Sequence, residues 1–165
     1  MPSWGEKVIA ISDAVKENLV NYFGVDKGRV SLIYNGIEIE KFLKAISKEE
    51  KDNLKDGFGI KKGYSVIGMI SRFTPDKGHD TLLYGLSGIL KEKPNTQLVF
   101  VGDGDKKQDI INLAQQLNLL DHVVFIRPQL DTADVLSIMD IFMFTPARRE
   151  GLGLAVLEAI ASGKP

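Results

Sequence analysis

An α/β fold, a Rossmann-like parallel sheet flanked by helices, is predicted by three features of the 165-residue sequence. Short apolar runs rich in β-branched residues alternate with longer amphipathic stretches, as strands and their covering helices do. Most of the short runs lack a polar face, which fits strands buried on both sides. Gly24, Gly57 and Gly163 follow helical stretches at the point where a left-handed residue closes a helix.

The elements follow in order. "KVIAIS" at 7–12 is the first strand and leads into an amphipathic helix at 13–22. "RVSLIY" at 29–34 is the second strand. Residues 34–63 form the polar stretch with the weakest strand signal, so a boundary is expected near its beginning. A helix at 47–55 lies inside it, and Ser47 and Glu50 stand three apart, the spacing of a capping box. "YSVIGMI" at 64–70 is the third strand, and the helix at 79–92 stops before Pro94. "QLVFVG" at 97–102 is followed by a helix at 106–117, "HVVFIR" at 122–127 by a helix at 132–139, and "IFMFT" at 141–145 by a helix at 153–161. The class is doubly wound α/β, in which ligands bind beyond the carboxyl ends of the strands.

Composition narrows the function. With 44% hydrophobic residues the chain can bury a core of its own. Lys and Arg number 21 against 22 Asp and Glu, a balance that gives no footprint for nucleic acid. There are no cysteines, which removes disulfides, thiolate metal sites and a cysteine nucleophile and fits a reducing compartment, so the cytoplasm is expected. No run of about 18 consecutive apolar residues occurs and the first residues lack the pattern of a signal peptide.

Three loops at strand ends carry the candidate chemistry. In "SRFTPDKGHD", Arg72 and Lys77 stand with Gly78 at a helix entry, where two cations and free backbone N–H groups suit a phosphate or diphosphate. Taken alone, a basic pair is more often solvated surface charge. His79 beside them reads as an ordinary polar residue of the turn. In "VGDGD", Asp103 and Asp105 form an Asp-x-Asp pair like those that hold a divalent cation in metal-dependent sugar transferases. The plainer reading, a glycine turn with Asp105 complementing a helix dipole, is preferred, because no third carboxylate or histidine lies close in sequence. Gly102 and Gly104 also lack the third glycine of a dinucleotide fingerprint. In "PARREGLG", Gly151 and Gly153 allow close approach of the backbone to a ligand at the start of the last helix. Glu150 precedes that turn and Glu158 lies near the helix end. A carboxylate only accepts, and the paired hydroxyls of riboses and hexoses suit it. A solvated loop charge for Glu150 and a carboxylate satisfied within the protein for Glu158 are the alternatives.

These pieces in this order resemble one family. "RREGLGLAVLEAIASGKP" is similar to the segment that marks the retaining, nucleotide-sugar-dependent glycosyltransferases of group 1, family four, whose fold is called GT-B, with Glu150 and Glu158 as its two glutamates. "MISRFTPDKGHDTLLYGL" resembles the family's first donor loop, and "LVFVGDGD", "HVVFIRP", "VLSIMDIFMFTP" and "VIAISDAVKENLV...VSLIYNGIEIEKF" match in order and spacing. The resemblance covers essentially the whole chain. Ser71 stands where the family usually has glycine.

The resemblance implies roles. Arg72 and Lys77 neutralise the donor's diphosphate, Glu158 accepts from the ribose hydroxyls, and Glu150 from hydroxyls of the transferred sugar. The N–H groups of Gly153 and Leu154 face the phosphates or sugar beside Gly151, and backbone near Arg127 and Pro128 borders the base. The donor would be a UDP-, GDP- or ADP-sugar, with no metal and no other cofactor. Enzymes of the family have two Rossmann-like domains. Residues 1–36 are expected to be the end of the acceptor-side N-terminal domain with the linker entry, and 37–165 the donor domain, cut at its C-terminal end. The chain alone is then expected to be inactive, its partners being the donor, the missing N-terminal domain and an acceptor glycan or glycolipid that the full-length enzyme reaches by peripheral membrane association. A metal-dependent transferase built on Asp103 and Asp105, and a non-catalytic nucleotide-sugar-binding module, are the rival readings. A Rossmann dehydrogenase is disfavoured by the incomplete glycine pattern.

Overall fold

The computed structural model describes residues 5–147 and 150–165. Arg148 and Arg149, in the third candidate loop, lie outside the described residues, as do the first four. The chain forms two compact units, Met1–Ile37 with Arg149–Leu154, and Glu38–Arg148 with Ala155–Pro165.

The smaller unit holds β1 (Val8–Ala10), α1 (Asp13–Asn21) and β2 (Val30–Leu32). The two strands pair in parallel, and Ala10, Leu19, Val25 and Val30 make the core between strand and helix. Ser12 caps α1 by accepting the Val15 N–H at 3.3 Å, satisfying one of the amides a helix start leaves open.

The larger unit begins with α2 (Lys48–Gly57), where the expected capping box is formed: Glu50 N–H donates to Ser47 Oγ and Ser47 N–H to the Glu50 carboxylate. β3 (Ser65–Ile70), α3 (His79–Glu92), β4 (Thr96–Val101), α4 (Lys107–Gln116), β5 (Val123–Ile126), α5 (Ala133–Ile138), β6 (Ile141–Phe142) and α6 (Leu154–Ala161) follow. The four strands form one parallel sheet in the order β5-β4-β3-β6.

Every residue of β4 is buried, and its side chains divide by the two-residue period of a strand. Leu98 and Phe100 join Leu82, Leu83 and Leu86 of α3 and Ile110 and Ala114 of α4 in one core. Val99 and Val101 join Val135, Leu136 and Ile138 of α5 and Ala159 of α6 in another. Two helical layers thus cover opposite faces of the sheet, the doubly wound arrangement expected. α2 is tied on through Asp140, which accepts the Val66 N–H at 2.9 Å and lies 3.3 Å from the Lys51 ammonium.

Three expectations are corrected. β1, β2 and β6 are not buried throughout: among the described residues each pairs with a strand on one side only, and Ile9 and Ile141 stay 60% and 43% exposed. β6 is also shorter than the run 141–145, although Met143 N–H still donates to the Gly68 carbonyl at 2.8 Å. Gly57 remains within α2, and the left-handed glycine after that helix is Gly59, φ +77°, whereas Gly24 and Gly163 do turn left-handed after their helices.

Candidate functional site

The parallel register sets the site. Ile70 pairs with Val101 and Val101 with Ile126, so Ser71, Gly102 and Arg127 leave the sheet side by side at its carboxyl edge. Gly102 N–H donates to the Ile126 carbonyl and Ser71 N–H to the Val101 carbonyl, carrying the ladder into the loops. Gly102 has φ +147°, and a Cβ there would collide with the Ser71 carbonyl. Only glycine lets the two loops approach this closely.

The β3–α3 loop is held from both sides. Phe73 N–H donates to the Asp103 carbonyl at 2.9 Å and Lys106 N–H donates to the Phe73 carbonyl at 3.0 Å, so Phe73 is fixed to the β4–α4 turn. At the other end Gly78 takes φ +72°, and the Thr145 hydroxyl, beyond β6, donates to its carbonyl at 3.1 Å. Ala147 N–H donates to the Asp76 carbonyl at 2.8 Å. Between these anchors Arg72 is exposed, and its guanidinium makes no hydrogen bond or ion pair among the described residues. Lys77, half-buried at the entry to α3, lies 3.6 Å from the Asp76 carboxylate.

His79 overturns its reading as a plain turn residue. It is 3% exposed, the first residue of α3, with its ring stacked on Phe73 at 4.3 Å and Nε2 sharing a 3.1 Å hydrogen bond with Ser71 Oγ. Burial lowers its pKa to about 4, although Asp80 and Asp76 favour the charged form. The imidazole is therefore neutral near pH 7.

Glu158 lies half-buried on α6, where the Thr132 hydroxyl donates to one carboxylate oxygen at 2.8 Å. Thr132 ends the β5–α5 loop, the one that contains the exposed Arg127 and Pro128. The structure therefore brings Glu158 together with the segment expected to border a base, through a partner the sequence did not single out. Thr132 and Thr145 were missed because each bonds across more than 25 residues of sequence, where no local pattern marks a pair.

The remaining expected residues belong to the smaller unit. Glu150 is half-buried and lines, with Gly151 and the α1 residues Ala14, Glu17, Asn18 and Asn21, a cleft of about 310 Å³. The close approach that Gly151 allows is to α1, since a Cβ there would stand 2.8 Å from Val15 Cγ2. Gly153 is half-buried, and Leu154 opens α6 with 43% exposure.

Of the Asp-x-Asp pair, Asp103 is used by its own turn. Asp103 Oδ1 accepts the Gly104 N–H at 3.0 Å and lies 3.9 Å from the Lys107 ammonium, and Asp105 is exposed. Among the described residues no three His, Cys, Asp or Glu side chains come together as metal ligands. Nor is any helix among them long and apolar enough to cross a membrane.

Comparison with known proteins bears on this arrangement. Residues 50–165 match the family model described as glycosyl transferases group 1, and residues 3–41 that described as glycosyltransferase family 4. An uncharacterized glycosyltransferase of Methanocaldococcus jannaschii is 31% identical over 96% of this chain and 41% of its own length. The UDP-Gal:alpha-D-GlcNAc-diphosphoundecaprenol alpha-1,3-galactosyltransferase of Escherichia coli is 30% identical over the same shares. The chain thus spans about two fifths of the length of these relatives. Among solved structures, Anabaena Alr3699/HepE in complex with UDP and glucose superimposes with a TM-score of 0.85 at 26% identity, over 98% of this chain and 44% of that one. The same protein has been solved with UDP-glucose.

Proposed function

The chain belongs to the glycosyl transferases of group 1, and from that premise we propose that it is the donor-binding half of an enzyme that moves a hexose from UDP to an acceptor hydroxyl with retention at the anomeric carbon. The observation that carries this reading is the tie between Glu158 and Thr132, which sets a carboxylate against the β5–α5 loop while the neighbouring β3–α3 loop presents Arg72 and Lys77. A carboxylate beside such a loop can accept from both ribose hydroxyls, and two cations on the adjacent loop suit a diphosphate. UDP is favoured over GDP and ADP by the complexes of the Anabaena protein and by the donor in the name of the Escherichia coli relative.

Departure of the nucleotide builds negative charge on the diphosphate, and fixed cations facing that charge are worth roughly 3 kcal/mol each, as removed oxyanion donors are. Arg72 and Lys77 supply them. A leaving phosphate oxygen takes the acceptor's proton, so the step requires no protein nucleophile. Glu150 accepts from hydroxyls of the transferred hexose, and the N–H groups of Gly153 and Leu154 serve the phosphates or sugar. Residues 1–36 correspond to the end of the acceptor-side domain and 37–165 to the donor domain, a division supported by the two separate family models. A reaction shared by two domains leaves this chain alone with weak donor binding and little turnover. The acceptor is a glycan or glycolipid of a surface polysaccharide pathway, reached from the cytoplasmic side by peripheral association of the whole enzyme, in keeping with the lipid-linked acceptor named for the Escherichia coli relative.

Calorimetric titration of the chain with UDP, GDP and ADP, first with a chelator and then with magnesium, tests this. UDP is expected to bind without metal, and Glu158→Ala to weaken it by about 10- to 100-fold, the worth of hydrogen bonds to a charged group. Binding that requires magnesium would transfer the site to Asp103 and Asp105, and binding of none of the three would end the donor-half reading.

A further inference from the structure

Arg72 is bracketed by two residues that touch one imidazole. Ser71, just before it, shares a hydrogen bond with His79 Nε2 at 3.1 Å, and Phe73, just after it, stacks on the same ring at 4.3 Å with the planes 16° apart. Lys77 stands two residues before His79, and the left-handed Gly78 between them fixes where α3 starts. A single buried ring therefore contacts the loop on both sides of one cation and follows directly behind the other.

We propose that His79 is a positioning residue for the donor's diphosphate: through Ser71 and Phe73 it holds the backbone from which Arg72 and Lys77 reach the phosphates. The inference rests on the donor-binding reading above. The rest of the loop's anchorage is backbone bonding by Ser71, Phe73 and Asp76 and the hydroxyl of Thr145, none of which involves the His79 ring. Where glycine stands at position 71 no hydroxyl exists to make this bond, so the Ser71–His79 pair belongs to this chain rather than to the general pattern it resembles. A neutral imidazole can make the bond in either tautomer, and burial with a pKa of about 4 keeps the ring neutral throughout the physiological range. Anion-binding side chains must be held to within about half an ångström by packed neighbours to act together, and the stacked, hydrogen-bonded ring is such a neighbour.

The test compares UDP with uridine, which keeps base and ribose but lacks the diphosphate, as ligands of the chain and of four variants. Ser71→Ala deletes the hydroxyl, His79→Phe keeps a ring that can stack but has no nitrogen, His79→Gln restores an amide near the Nε2 position, and the fourth combines Ser71→Ala with His79→Phe. Each of the first two is expected to weaken UDP by about three- to tenfold while uridine is unchanged, and the combined variant to lose no more than the worse single one, because both remove the same bond. His79→Gln is expected to recover part of the loss. UDP affinities equal to the parent in Ser71→Ala and His79→Phe, or an equal loss for uridine, would overturn the positioning role and leave the donor-half reading standing. Failure of the unaltered chain to bind either UDP or uridine would remove both.

Discussion

A neutral, buried histidine makes stability depend on pH. His79 has a folded pKa of about 4 against an ordinary 6.5, so the unfolded chain binds the extra proton first as pH falls. Its contribution is fully present above about pH 6.5 and is lost progressively down to about pH 4. The groups facing the ring are Asp80 on its own helix and Asp76 and Lys77 on the preceding loop, and Lys107 of α4 lies over the far ring of the Phe73 stack. Urea unfolding of the chain and of His79→Phe at pH 7 and pH 5 should show the parent losing on the order of 1–2 kcal/mol more than the variant. Equal losses would mean that the ring titrates normally. The sequence marked position 79 only as a helix start, since the burial of the ring depends on Phe73 and Phe100, and Phe100 lies on another strand.

The elements themselves were legible, because each strand is a short apolar run and each helix a longer amphipathic one, and neither signal needs tertiary contacts to be seen. The short 3₁₀ turns Lys27–Arg29, Ile39–Lys41 and Leu120–His122 were not, being too brief to have a period. Helix closure was legible at Gly24 and Gly163 but misplaced at Gly57, where two glycines two apart offered a choice that only the backbone decides. Glycines inside and between elements should respond in opposite ways. Gly88 lies exposed within α3 with open space where a Cβ would stand, so Gly88→Ala is expected to stabilise by about 0.5–1 kcal/mol. Gly102→Ala drives a methyl into the Ser71 carbonyl from a φ that favours glycine and should cost about 3 kcal/mol. Thermal scans should show a midpoint raised by about 1–4 °C for the first and lowered by about 6–12 °C for the second. A neutral Gly102→Ala would mean that the two loops do not meet as described.

At the scale of the molecule, the doubly wound layering followed from the alternation of strands and helices, and the rule that such sheets bind at their carboxyl edge directed attention to the loops that carry Arg72 and Lys77, Asp103 and Asp105, and Glu150, whereas Arg127 was reached only through the family resemblance. The division into two units was less legible, because the return of residues Arg149–Leu154 to the smaller unit is a long-range fact that no composition shift announces. A ligand that binds only the folded chain must raise its stability, by about 2.7 kcal/mol at a hundred times its dissociation constant. Saturating UDP is thus expected to raise the thermal midpoint by roughly 5–10 °C, an effect that Glu158→Ala should cut by about half or more at the same UDP concentration. The wholly buried β4 has one more consequence. Its backbone amides lie between two paired strands and beneath a helical layer on each face, so they are released only when the larger unit opens as a whole. In deuterated water Leu98–Val101 should be the last amides to exchange, and the β4–α4–β5 stretch, whose paired strands are nearer in sequence than β3 and β4, the first part of that sheet to gain protection as the chain refolds.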